Sequence, residues 1–446
     1  MSTRRQFFRS SAALVGGSML WPRRLRAVQI PPKVTEDVQV EVFRALNGSP
    51  QANTEKVIEL MGGIHRLVGT EDIVLIKPHV QWWNQGAPNL GAVKSLVDLI
   101  MNRPRGFAGE VVLAENCHRG ATPWRQSGWS KAFERNSDCP DVQNYNDLCR
   151  LLKSTYADRF SVVHWINIKD GGKRVSGPSE GPGYVFCDGS RGAPMLEFDN
   201  GLSGSRYRSV IMTYPIFQTD RGTLVDFKHG IWEKGSYTSQ PFKFFNLAGL
   251  NHHSVWCGVT AAVKNYLGIT DLSGGPNPYD DGKLTEKYYN FHSFPFDEWA
   301  PGPRPGMIGA EIAVFLKTVR QADLNIATIE WVGLASRTMP PVAHTRAVLA
   351  SRDPVALDYH ASKYILYPNS GIEHHNPDYE PGAFHQYLKE CADRGGGVMD
   401  ERKVRIFSYD FGKGAMQKDP ELVVTGEKRW GRDPRTILKY LYLRYV

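Results

Sequence analysis

The side chains able to carry chemistry in this 446-residue chain gather at a few short places: Lys77-Pro78-His79, Glu115, Lys228-His229, His252-His253 and Lys264-Asn265. A lysine is a compact cation that suits a carboxylate or phosphate, and its pKa falls on burial. Lys77, Lys228 and Lys264 are therefore a candidate anion-binding set, with separate salt bridges as the alternative. Glu115 with His229 or His252 is the candidate general acid/base pair, because such work needs a group that titrates near working pH. His252 and His253, with His229 and Glu115, also offer imidazole and carboxylate ligands for a divalent transition metal. Adjacent histidines diverge on a regular strand, so that reading requires an irregular backbone. Trp82 and Trp83 stand among amides and glycine and offer flat faces for a planar or sugar-like ligand. A loop folded onto its own core would have the same composition. A second group, Glu373-His374-His375 with His385, reads as a solvated loop.

These residues need elements to hold them. Asp72–Lys77 and Glu110–Ala114 are largely apolar runs too short for helices, and segments of helical period at Thr54–Val68 and Leu90–Met101 flank them. Strands alternating with helices imply parallel pairing. The expected fold is α/β: a doubly wound, mainly parallel sheet with helices on both faces and irregular Gly/Pro-rich insertions. Lys77-Pro78-His79 and Glu115 then fall at the carboxyl ends of strands, where open parallel sheets bind ligands. Further strands are expected at Ser161–Ile168, Arg208–Phe217, Gly222–His229, Leu324–Val332 and Ala347–Ser351, and a helix at Ile308–Gln321. Residues 119–159 read as an insertion and the stretch before Asn246 as a polar, aromatic connection. Ser254 to Gly268 reads as one helix: Ser254 caps it, Gly268 ends it, and Thr260 and Lys264 line its polar edge. Gly274–Pro305 is rich in glycine, proline and aromatics and should wrap rather than form long elements. Asp353-Pro354 signals an N-cap and first turn.

Composition narrows the class. Hydrophobic residues make up 41% and charged residues 22%, which is globular. The formal net charge is +8, yet six arginines and no acidic residue lie in residues 1–27, so only +2 belongs to the remainder. That near-neutral remainder argues against a nucleic-acid partner. Thr3-Arg4-Arg5-Gln6-Phe7-Phe8-Arg9 resembles a twin-arginine export signal, and a short apolar run follows it. The resemblance implies engagement with the twin-arginine export machinery and a periplasmic or extracellular location, with removal near Ala27 or retention as an uncleaved anchor. No later run is long enough to span a bilayer in the mature chain. None of the six cysteines shows two-residue spacing, so an iron–sulfur cluster is not expected. Cys139 and Cys149 are the nearest pair for a disulfide, with buried thiols as the alternative.

Four ordered segments resemble the domain-of-unknown-function family 362 (DUF362): Ile73–Pro78, Val112–Asn116, Gly258–Gly268 and Ala350–Asp358. The resemblance covers roughly residues 70–365 of a single large domain, 34–446, and leaves 366–446 as a C-terminal extension. It implies an α/β fold and a shared polar site that includes Lys77 and Lys264, but no established reaction. His79 stands where that family usually has asparagine.

Phosphate-loop, dinucleotide, nucleophile-elbow and zincin signatures are absent from the sequence. The expectation is an exported protein acting on a small anionic or polyhydroxylated molecule. Lys77, His79, Trp82, Trp83, Lys228, Thr260, Lys264 and Asn265 would bind it, and Glu115 with His229 or His252 would move protons. The alternative is a non-catalytic ligand- or metal-binding protein using the same groove.

Overall fold

The computed structural model describes residues 39–116, 127–187, 196–197, 209–210, 212–254, 257–273, 306–418 and 420–445. These belong to one compact unit, Val34–Val446. The leader, Cys117, Trp256 and the stretch 274–305 lie outside the described residues.

Strands β1 (Val40–Leu46), β2 (Ile73–Pro78), β3 (Glu110–Asn116) and β4 (Phe160–Trp165) alternate with helices α1 (Pro50–Leu60), α2 (Leu90–Met101) and α3 (Tyr145–Tyr156). The helix starts follow local chemistry: Ser49 Oγ accepts from Ala52 N at 3.1 Å and Asn89 Oδ1 from Ala92 N at 3.1 Å. β2 and β3 are buried at every position, which is why their sequences are continuous apolar runs without polar alternation. Val74 and Ile76 pack into the core beneath α1, α2 and α3. Ile73 and Leu75 face the opposite core, filled by helices α5 (Gly306–Thr318) and α6 (Pro354–Ala361).

The other half of the sheet comes from later in the chain. Strand β5 (Phe242–Gly249) runs parallel to β2 on the side away from β3, and β8 (Leu324–Gly333) runs parallel beyond it. The antiparallel β9 (Val342–Ser351) follows, then β1, then β10 (Val404–Asp410) parallel to β1. The fold is thus α/β, with β8-β5-β2-β3-β4 as a continuous parallel block and helices packed on both faces. β2 leads through α2 to β3 on one side, and β5 leads to β8 on the other. The carboxyl ends of β2 and β5 therefore frame a topological switch point.

Several expectations need correction. β5 is a central strand and not a connection: Phe242, Phe244, Phe245 and Leu247 are buried on alternating faces, and the polar Lys243 and Asn246 hide the run. Ser254–Gly268 is not one helix. Asn251–His252 (β6) pairs antiparallel with Val259–Thr260 (β7), and only Ala262–Asn265 (α4) is α-helical before a 3₁₀ turn at Tyr266–Ile269. Gly258 sits at φ +68°, and a side chain there would meet the His374 carbonyl, so the chain turns where a helix would have continued. The helical segment at 54–68 breaks at Gly62 and Gly63, both of positive φ. Within 119–159, α3 is the crossover to β4. The C-terminal extension supplies β10 to the main sheet. Cys139 and Cys149 are free, buried thiols. No helix among the described residues is long and apolar enough to cross a membrane.

Candidate functional site

The site is built where β2 and β5 part. Asn265, at the end of α4, inserts its amide there: Nδ2 donates to Lys77 O at 3.1 Å, Leu247 O at 3.1 Å and Asn246 Oδ1 at 2.7 Å. Asn246 in turn donates to Ala262 O at 3.0 Å and Asn325 Oδ1 at 2.8 Å. A helix of one turn could not hold this position alone. Asp358 of α6 anchors its start, accepting from Ala262 N at 2.7 Å and Val263 N at 2.8 Å. Two segments 95 residues apart thereby fix one another.

Lys77 and Glu115 form the floor. Lys77 Nζ donates to the Asn265 carbonyl at 2.9 Å, to Asn265 Oδ1, and to Glu115 Oε1 at 3.4 Å. Glu115 Oε2 accepts from Val80 N at 2.6 Å. Both side chains are almost wholly buried. Burial pulls the Lys77 ammonium down to about 8 against the attraction of Glu115. Burial likewise pushes the Glu115 carboxyl up to about 7, opposed by Lys77 and the Val80 amide. Gly268 makes room for this pair: a Cβ there would lie 2.4 Å from Lys77 Nζ. Its φ is unremarkable, so its role is space and not a helix-ending conformation.

Above this floor opens a cleft with about 570 Å³ of empty space, its solvent mouth included. Lys264, Arg337 and His253 line it together with the floor residues. His79 Nδ1 accepts weakly from Gly249 N at 3.4 Å, which leaves Nε2 as the N–H, turned to the Gly86 backbone. Desolvation and then Lys77 and Lys264 hold the His79 imidazole near 3, so it is neutral. Trp82 Nε1, both amide atoms of Asn251 and Thr260 Oγ1 are buried without partners. Orphaned polar atoms are costly in a finished interior, so their clustering in one cleft marks a place for a ligand or ordered water. Arg337 lies over the Trp82 ring at 4.5 Å. Its loop is clasped by Asn84 Nδ2 to Thr338 O at 3.0 Å and by Gln85 Nε2 to Ser336 O at 3.3 Å.

The structure thus brings together Lys77, His79, Trp82, Glu115, His253, Thr260, Lys264 and Asn265. It sets the others apart. Lys228 and His229 sit in the turn between Leu224–Asp226 and Gly230–Glu233 of a second sheet, with both amides on Asp226 Oδ1 at 2.9 Å, and neither lines the cleft. Trp83 turns to Lys131, 5.5 Å from its ring centroid. His252 is buried with Nδ1 2.9 Å from His375 Nε2, and His375 Nδ1 is 2.8 Å from Ser370 Oγ. Glu115 is therefore bonded to Lys77 and to neither His229 nor His252. His375 is wholly buried and belongs to no solvated loop. For metal, His253 Nδ1 faces Ser254 Oγ at 3.0 Å, and among the described residues no three His, Cys, Asp or Glu side chains converge.

Sequence reasoning missed Asn251, Gln81, Arg337 and the spatial role of Gly268. Strand parity could have found the first: on β6, Asn251 points opposite to His252. Arg337 had no signal, since a long-range clasp positions its loop.

Comparison with protein-family models, with curated proteins and with solved structures gives no match to this chain. The geometry of the cleft carries the functional argument.

Proposed function

We propose that the chain is an exported DUF362-like enzyme whose cleft takes a small anionic or polyhydroxylated molecule, with Glu115 moving a proton at the reacting centre. The observation that carries this reading is the Lys77–Glu115 pair at the switch point. Burial brings a carboxyl to about 7 and an amine to about 8, on either side of neutrality and beneath a cleft with unpartnered donors and acceptors. A group titrating there can take or give a proton at little cost. Lys264 supplies charge for an anion, and Trp82 supplies a flat wall.

One observation favours a second reading, a non-catalytic binding protein. The three donors of Lys77 and both oxygens of Glu115 are already engaged within the protein. The pair would then be a structural floor and the neutral groups above it the recognition surface.

Lys264→Gln should abolish ligand-induced thermal stabilisation and leave the melting temperature of the free protein nearly unchanged. A fall in that temperature of the free protein would make Lys264 structural. Recovery of the bound ligand after long incubation separates the two readings. Chemical conversion that Glu115→Gln stops supports the enzyme, and unaltered ligand supports the binding protein. Export is tested by Arg4→Lys with Arg5→Lys, which should hold the protein in the cytoplasm.

A further inference from the structure

The unpartnered groups of the cleft are not scattered around its wall. Asn251 and Thr260 are register partners across the β6–β7 hairpin, so their side chains stand side by side on one face. Both line the cleft, and the Asn251 amide N, amide O and the Thr260 hydroxyl are all buried without a partner in the protein. An amide beside a hydroxyl offers both donors and acceptors, and hydroxyl groups of a ligand likewise donate and accept. Leaving such atoms unpaired is costly, so a ligand that pairs them is favoured over one that cannot.

The charged members of the same cleft have the opposite chemistry. Lys264 and Arg337 are cations, and the one described carboxylate in the lining, Glu115, is bonded to Lys77 and the Val80 amide. His79 lies in the field of Lys77, Lys264 and Arg337, each of which disfavours its protonation. The cleft thus carries cations at Lys264 and Arg337 and neutral hydrogen-bonding groups along the hairpin.

We infer that the ligand is a small hydroxylated anion, its charged end held by Lys264 and Arg337 and its hydroxyl groups by Asn251 and Thr260. This inference rests on the proposed binding role of the cleft. It replaces the choice between an anionic and a polyhydroxylated molecule with one that is both, and it sets the orientation. Carboxylated and phosphorylated polyols share this chemistry.

Calorimetry on the full chain distinguishes the possibilities with glycerate, tartrate, gluconate and glucose 6-phosphate, set against sorbitol and hexanoate. At least one hydroxylated anion should bind ten-fold or more tightly than both sorbitol and hexanoate. Whether the carboxylates or the sugar phosphate bind tightest identifies the anion. Thr260→Val should weaken that probe by about ten-fold or more, and Thr260→Ser should restore it. Lys264→Gln should bring it to the affinity of sorbitol. Equal binding of sorbitol or hexanoate, with no effect of Thr260→Val, overturns this inference and leaves the cleft as a ligand site. Failure of every probe to bind overturns the binding role itself.

Discussion

Asn265 and Lys77 exchange hydrogen bonds in both directions: the Asn265 amide donates to the Lys77 carbonyl at 3.1 Å, and the Lys77 ammonium returns to the Asn265 carbonyl at 2.9 Å and its side-chain oxygen. The exchange ties α4 to the mouth of the switch point. Without the amide, the carbonyls of Lys77 and Leu247 at the strand ends would be left without this donor. Asn265→Ala should therefore lower unfolding stability by about 2–4 kcal/mol, since buried groups lose their partners. Asn265→Asp should be at least as harmful, because it sets an acceptor against the oxygens of Lys77, Asn246 and Leu247. Denaturant titration checks this, and an unchanged midpoint would remove Asn265 from its bridging role.

Crowding at Gly268 gives a second test. Gly268→Ala puts a methyl group where the Lys77 head lies, 2.4 Å away, so the pair with Glu115 must shift. The loss should be relieved in part when Lys77 is also shortened. A double-mutant cycle of Gly268→Ala and Lys77→Ala should show a coupling of about 0.5–3 kcal/mol. Strict additivity would mean the two residues do not share space.

The buried pair predicts a pH dependence with two windows of opposite slope. The Glu115 carboxyl is raised in the fold from 4.5 to about 7, so the folded chain binds the extra proton in that window. Its contribution is full below 4.5 and is lost as pH rises through 7, at up to about 1.4 kcal/mol per pH unit. Lys77 is lowered from 10.5 to about 8, so here the unfolded chain binds the extra proton. Its contribution is full above 10.5 and is lost as pH falls through 8. Relative to wild type, Glu115→Gln should flatten the acid window and extend the alkaline one to lower pH, because Lys77 loses the charge that holds its pKa up, and Lys77→Met should flatten the alkaline window and extend the acid one to higher pH. Stability curves in which neither variant changes slope would show that the two groups are not shifted by burial.

Asp358 acts on the cleft through α4. Asp358→Ala frees the amides of Ala262 and Val263 and should cost about 2–4 kcal/mol, with Asp358→Asn intermediate because it keeps one acceptor. Since Lys264 and Asn265 ride on that turn, probe affinity should fall with Asp358→Asn even where the protein remains folded. Hydrogen exchange at Ala262 and Val263 checks the cause, as both amides should lose protection.

Apolar period and length made β2, α2, β3 and β8 legible in the sequence, because a strand buried on both faces must be apolar throughout and a helix between two layers must carry a stripe. Asp353 could be read as the cap of α6 for a similarly local reason, its carboxylate accepting from Ala356 N at 2.8 Å. Lys77, Glu115 and Lys264 could be named because each follows an apolar run, where a charge is out of place unless it is used. Tertiary structure alone decided which of these charges meet. β5 enters beside β2 although nearly 170 residues separate them in the register of Lys77 with Asn246, and that pairing creates the switch point. It also decided that His229 and Lys228 belong to another sheet, that His252 turns away to His375, and that Arg337 covers Trp82. Local propensity and period act over a few residues, whereas the cleft is made by contacts between segments that only packing brings together.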